Sequence, residues 1–188
     1  MSIIDELTVE DFKALFTRNF PYLPVWVEGK AYFTGDVVYA EPNFYVSLVD
    51  ANTDPVDNTE AWQLHNDSTD NYVQDSDIER AWSEALVTFN LGLAGSDDEA
   101  KIIFLYLVAF YLAYDLSLAS GGAYGSITFP ATSVSVGSVS ESYYVPKAYL
   151  EDPVLGFYAR NGFGLKYLNM VYPKLIGNAK AVAGWSLP

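Results

Sequence analysis

The side chains best suited to chemistry are few. Histidine occurs once, at His65, so no histidine cage for a metal can form, and no Ser-His-Asp relay can form without it. Cysteine is absent, which removes thiol nucleophiles, thiolate metal sites and disulfides. What remains is carboxylate. From Glu41 to Glu79 the chain carries ten acidic residues and no Lys or Arg. Asp50, Asn52 and Asp54 begin with the spacing of a calcium loop, but Pro55 stands where the turn glycine is needed and Ala61 where the bidentate glutamate belongs. Paired carboxylates hydrolyse glycosides when two of them flank a cleft, and nothing in this loop-like stretch places two across one. Neither a GxxxxGK[ST] loop nor a GxGxxG is present. The chain is therefore expected to be no enzyme and to hold no metal and no cofactor. His65, next to Asn66 and Asp67, is expected to be an ordinary loop residue.

The bulk composition agrees with a folded, non-catalytic part. A chain of 188 residues with 51% hydrophobic and 18% charged residues can bury enough apolar surface to offset its ordering entropy. Its formal net charge is −14, which argues against gripping nucleic-acid phosphates, since that needs Lys and Arg. The acidic start, Met1-Ser2-Ile3-Ile4-Asp5-Glu6, has neither a basic nor an apolar region of the signal-peptide kind. The most apolar run, Ile102 to Tyr114, is shorter than the roughly 20 residues a spanning helix needs, so no membrane is expected.

The elements that would position these groups are legible in the spacing. Leu7 to Phe16 reads as a short helix capped by Thr8, with Val9, Phe12, Leu15 and Phe16 as its stripe. From Val25 to His65 the pattern changes to turn formers and aromatics, and three short strands with tight turns are expected. Ser76-Asp77-Ile78-Glu79 and Ser96-Asp97-Asp98-Glu99 are two capping boxes. They predict a helical hairpin, the first arm with Ile78, Trp82, Ala85, Leu86 and Phe89 inward, the second running to about Gly121. The run 102–114 carries more apolar surface than one helix partner covers, so subunit contacts are expected to cover the rest. Ser133 to Val145 reads as an extended arm or hairpin with five serines, and the phase of its alternation shifts at Gly137-Ser138. Phe163 to Tyr172 is expected to be a short last helix with Leu165, Leu168 and Tyr172 inward and Pro173 at its end.

Two resemblances follow from these residues. Tyr32, Gly35-Asp36-Val37-Val38, Phe44-Tyr45, Pro55 and Trp62-Gln63-Leu64 resemble, in order, a small carbohydrate-binding module of the chitin-binding type. The resemblance implies exposed aromatics for stacking on sugar, here Tyr32, Tyr45 and Trp62, or alternatively a decorative insert in which Tyr32, Phe44 and Trp62 form the core. Elsewhere, Ser133-Val134-Ser135-Val136-Gly137-Ser138-Val139-Ser140-Glu141-Ser142-Tyr143 is similar to the S-V-G-x-x-S-x-S-Y segment of tailed-phage head–tail connector proteins. Asn161-Gly162-Phe163-Gly164-Leu165-Lys166-Tyr167-Leu168 resembles the Y-G-x-x-Y-L helix that follows it there.

The expectation is an α+β chain. A mainly helical adaptor core over 1–24 and 66–188 would carry an inserted β-module over 25–65. This second resemblance implies a virion protein of the neck, assembled in the host cytoplasm. It would form a ring, usually dodecameric, between the portal protein and tail-side neck proteins, with DNA passing through unbound. Val134, Val136, Gly137, Val139 and Tyr143 would form its assembly arm. The alternative is a carbohydrate-binding or decorating protein of the tail or baseplate.

Overall fold

The computed structural model describes residues 3–120, 133–136, 139–142 and 151–183, without the side chains of 133–142 and 176–183. The fold is α+β. It divides into two compact units, one of residues 1–12 with 76–188 and one of 13–75, and the division falls inside the first helix.

The helical unit opens with a 3-10 turn, Ile3–Glu6, and helix α1, Val9–Leu15. Thr8 caps α1 as expected: its Oγ1 accepts from the Asp11 N–H at 3.3 Å, and the Asp11 carboxylate accepts from the Thr8 N–H at 2.9 Å and hydroxyl at 2.7 Å. In its stripe Phe12 and Phe16 are buried while Leu15 is exposed. Helix α2 spans Asp75–Thr88, starting one residue before the predicted cap, so Ser76 lies inside the first turn. Its inward face is Ile78, Ala81 and Ala85; Leu86, expected inward, is exposed.

Helix α3, Asp97–Ser120, begins with the predicted box. The Glu99 N–H donates to Ser96 Oγ at 3.2 Å, but the Glu99 carboxylate reaches past the cap to the Gly95 N–H at 2.6 Å. Residues 103–105 and 107–112 are all buried. Nine such positions within three turns point in every direction, which makes α3 a central helix covered all round. By length and composition it could also cross a membrane, yet its apolar side chains are taken up by the chain's own core. Of 102–114 only Ile102 is exposed. Subunit contacts are thus not needed to cover this run, contrary to the sequence expectation, because the chain supplies more than one cover.

The covers come from both ends of the chain. The 3-10 turn packs on α3, with Ile4 buried. Helix α2 approaches through large rings: Trp82 and Phe89 both meet Phe104 edge-on, at 5.0 and 5.2 Å. Arg80 near one end pairs with Asp115 at 3.1 Å, and Thr88 near the other bonds the Tyr111 hydroxyl at 3.1 Å, so the two helices run antiparallel as a hairpin. The third cover is the C-terminal pair, α4, Pro153–Tyr158, and α5, Gly162–Ala183. Helix α5 lies along α3 and does not stop at Pro173. The proline removes one N–H from the ladder, but the turn is held on both sides of it, by buried Val171 and by Lys174, whose ammonium meets Glu99 at 2.5 Å. The inward stripe of α5 is Gly164, Tyr167, Leu168 and Val171, and Leu165 faces out.

The second unit holds a three-stranded antiparallel sheet, β1 Val37–Ala40, β2 Asn43–Ser47 and β3 Trp62–His65, in that order. It extends beyond 25–65 at both ends: Tyr22 bridges Val73, and the Val73 N–H donates to the Pro21 carbonyl at 2.8 Å. Its core is Tyr32, Val38, Ala61 and Trp62, with Trp26, Tyr45 and Val56 packed against it. The helical unit also contains a two-stranded antiparallel sheet, β4 Ser133–Val136 and β5 Val139–Ser142.

Candidate functional site

The predicted assembly arm is the β4–β5 pair. Val134 stands opposite Glu141 and Val136 opposite Val139, so the arm is a hairpin. Gly137 and Tyr143 lie outside the described residues. The helix that follows in the connector-like pattern, Gly164-Leu165-Lys166-Tyr167-Leu168, starts α5 at its tightest contact. A Cβ on Gly164 would collide with the Tyr158 carbonyl and come within 2.5 Å of the Phe110 ring, so the backbone of α5 approaches the end of α4 and the Phe110 ring of α3 as closely as only glycine permits.

Asn161 fixes that approach. Its Oδ1 accepts from the Gly164 N–H at 2.9 Å, and its amide donates to the Phe110 carbonyl at 3.2 Å. Around it sits an aromatic cluster: Phe110 meets Phe157 and Tyr158 at 5.1 Å each, and Tyr158 meets Tyr167 at 5.1 Å. Arg160 lies over the Phe157 ring at 5.1 Å and donates to the Tyr114 hydroxyl at 3.0 Å. Burial pushes Tyr167 up to about 12 and Tyr111 up as well. These phenols stay neutral and act as packing groups. Arg160 was not singled out from the sequence, and Asn161 entered only as the first residue of the connector-like segment; the polar Arg160-Asn161 pair between α4 and α5 is the signal that marks them.

The aromatics proposed to face sugar are placed differently. Tyr32 and Trp62 are buried at 4% and 2% exposure and meet edge to face at 5.4 Å; they are corrected from binding platforms to core residues. Tyr45 is half-buried against the same core. Alternation in a strand shows which residues share a face but not which face is covered. Gly35-Asp36 serves a turn: Gly35 has φ 93°, and the Asp36 carboxylate accepts from the Phe33 N–H at 2.8 Å.

The calcium-like spacing is likewise spent on structure. Asp50 accepts from the Thr34 N–H at 3.0 Å, and that bond holds its carboxyl below the usual range. Asn52 is buried; its amide donates to Ser47 Oγ and to the Ala61 carbonyl, and its oxygen accepts from the Asp54 N–H. Asp54 accepts from the Asn58 amide, and its carbonyl from Trp62 Nε1. Among the described residues no cluster of His, Cys, Asp or Glu is placed to hold a metal.

Each unit has a small hollow lined by described residues. One, of about 240 Å³, is a cup lined by Pro42, Asn43, Phe44, Leu64, His65, Asn66 and Asp67. Asp67 is lowered chiefly by the Tyr72 hydroxyl, which donates to it at 2.6 Å and is itself raised by that bond. The other, about 340 Å³ and open, lies between Leu7, Thr8, Val9 and Glu79, Trp82, Ser83. Neither assembles a nucleophile with a base. Comparison with protein families, curated proteins and solved structures finds no match to this chain.

Proposed function

We propose that this chain is a structural virion protein, a head–tail adaptor that works by assembling as a ring below the portal. The observation that carries the reading is the succession of a Ser/Val hairpin, β4–β5, and a helix opening on Gly164-x-x-Tyr167-Leu168 that closes on the central helix. That order, after an N-terminal helix and a helical hairpin, is the order of elements in the connector pattern it resembles. Its neighbours would be the portal protein and the tail-side neck proteins. In a chain of net charge −14, acidic groups facing the channel repel phosphates, so DNA passes without sticking. The sugar-binding alternative is weakened, since Tyr32 and Trp62 are buried.

The test is location. Particles purified from an infected host, labelled with an antibody to this chain and imaged by negative stain, should carry it at the neck as a ring. Finding it only as an internal scaffold or as a free non-virion protein overturns the reading.

A further inference from the structure

We propose that the cup at one end of the β1–β3 sheet is a binding site for a guanidinium group, supplied by an arginine side chain of a partner protein. All of its lining residues belong to the 13–75 unit, and the site does not depend on where in a particle the chain sits.

The sheet's register builds the cup. Phe44 pairs with His65, which brings Pro42-Asn43, before the first, and Asn66-Asp67, after the second, to the same end of the sheet. There they enclose about 240 Å³, much more than one water occupies. Tyr72 fixes two of the walls: its ring stacks on Phe44 at 5.5 Å, and its hydroxyl donates to Asp67 at 2.6 Å. The other oxygen of that carboxylate accepts from the Asn71 amide at 2.7 Å and the Ser68 N–H at 2.8 Å. Of the roughly four acceptor positions of a carboxylate, one remains, on the oxygen that Tyr72 meets. The side chains of Asn43 and Asn66 make no hydrogen bond among the described residues.

Charge and shape select the ligand. Over 31–75 the sequence has nine acidic residues and no Lys or Arg, so the field around the cup attracts cations. One carboxylate beside two neutral amides is a poor cage for a bare ion, and among the described residues no metal cluster forms. The arrangement suits a planar cation with several donors. A guanidinium can give one N–H to Asp67 and others to the amide oxygens. Its weakly hydrated face can rest on the apolar side formed by Pro42 and Phe44. At the rim Leu64 is 65% exposed. That is surface a polypeptide covers and a small free cation does not, and arginine is among the residues that anchor protein interfaces.

His65 lines the cup and is the chain's only histidine, so its ring-proton NMR signals report on the site without assignment. Full-length protein without a histidine tag is titrated, at fixed pH and ionic strength, with a capped pentapeptide holding arginine between two glycines. The expected result is a saturable shift of the His65 signals with a Kd on the order of 1–10 mM. The same peptide with lysine should bind several-fold more weakly. Arginine between two valines should bind several-fold more tightly, and Leu64→Ser should abolish that gain. Asp67→Asn should weaken binding about tenfold, the loss of one charge-assisted hydrogen bond. Asp57→Asn removes the same charge from the loop at the far end of the sheet and should change nothing. Asn66→Ala should weaken binding with near-UV circular dichroism unchanged, and it stands in if Asp67→Asn disturbs the fold. The proposal is overturned if the arginine peptides leave the His65 signals unmoved, or if lysine binds as well as arginine. It is also overturned if Asp67→Asn and Asp57→Asn weaken binding equally, or if folded Asn66→Ala binds as the wild type does. No gain from the flanking valines overturns the assignment to a partner protein.

Discussion

The two units of this chain are stabilised by different means. In the helical unit, α3 is surrounded by apolar side chains, and Phe104, Phe110, Leu107, Val108 and Leu112 are all fully buried. In the smaller unit a cluster of Tyr32, Val38, Ala61 and Trp62 packs one face of the sheet, with Phe44 and Val73 also buried. There the eleven-residue loop from Asp50 to Glu60 is held by side-chain bonds of Asp50, Asn52, Asp54 and Asn58 to backbone and to each other. One region is built on area, the other on a polar loop that closes a small core. The lesson is that acidic and amide residues at suggestive spacing can be spent entirely on holding a chain together.

The largest expected effect is on the helical unit. Phe110 touches Tyr111, Tyr114, Phe157 and Tyr158 and backs onto Gly164. Phe110→Ala should cost about 3–5 kcal/mol through lost burial and a cavity. Gly164→Ala acts by the opposite means, overpacking, and should cost about 1–3 kcal/mol or more because one colliding atom is backbone. Urea unfolding followed by the far-UV helical signal measures both. If Gly164→Ala is neutral, the close approach of α5 to the Tyr158 carbonyl and the Phe110 ring is not as described.

Trp62→Ala tests whether the small core is separable. The indole fills the sheet's core and its Nε1 bonds the Asp54 carbonyl. Removal should cost about 3–5 kcal/mol, enough to unfold a small sheet unit. The helical signal should be retained while near-UV dichroism changes. Loss of the helical signal with it would break the comparison.

Asn52→Ala asks how much the polar loop contributes. The substitution leaves the Asp54 N–H without its partner and takes one of two donors from the Ala61 carbonyl, which keeps the Leu48 N–H; the unpaired N–H costs on the order of 1–3 kcal/mol if left buried. The midpoint of urea unfolding should fall, and amide exchange should speed up across 50–61. An unchanged loop would mean that area, not hydrogen bonding, holds this unit as well.

Much of this architecture was legible beforehand, and the misses share a cause. The three strands, the Thr8 cap, the Ser96 cap and the helical hairpin all follow from spacing within a few residues. What was not legible depended on distant partners. Helix α5 runs through Pro173 because Lys174 finds Glu99, some 75 residues earlier in the sequence. The sheet unit extends to 13–75 because Tyr22 finds Val73. Leu86 faces out because Ala81 and Ala85, smaller and less conspicuous, take the inward line. At the candidate site the arm's strands were legible from alternation, whereas the inward placement of Tyr32 and Trp62 depends on which face the rest of the unit covers.

The smallest effects are electrostatic, and two carboxylates of the helical unit should move stability in opposite directions with pH. Glu99 is held below the usual glutamate range, first by its hydrogen bond with Lys174 and then by the Gly95 N–H. A lowered value means the folded state favours the charged form; the stability it contributes is present above the usual range and lost as pH falls through the lowered value. Glu84 is raised, first by burial and then by Asp115, with Arg80 opposing. Its contribution is full below the usual range and lost as pH rises through the raised value, so at neutral pH it is a net cost. Glu99→Gln should therefore lower the thermal midpoint at pH 7, and Glu84→Gln should raise it slightly. Both differences should shrink as pH falls below the glutamate range, where neither wild-type carboxyl is charged. Thermal unfolding of the three proteins across that range reads the signs directly. If both variants shift the same way at neutral pH, the surroundings of Glu84 do not disfavour its charge and the desolvation assigned to it is wrong.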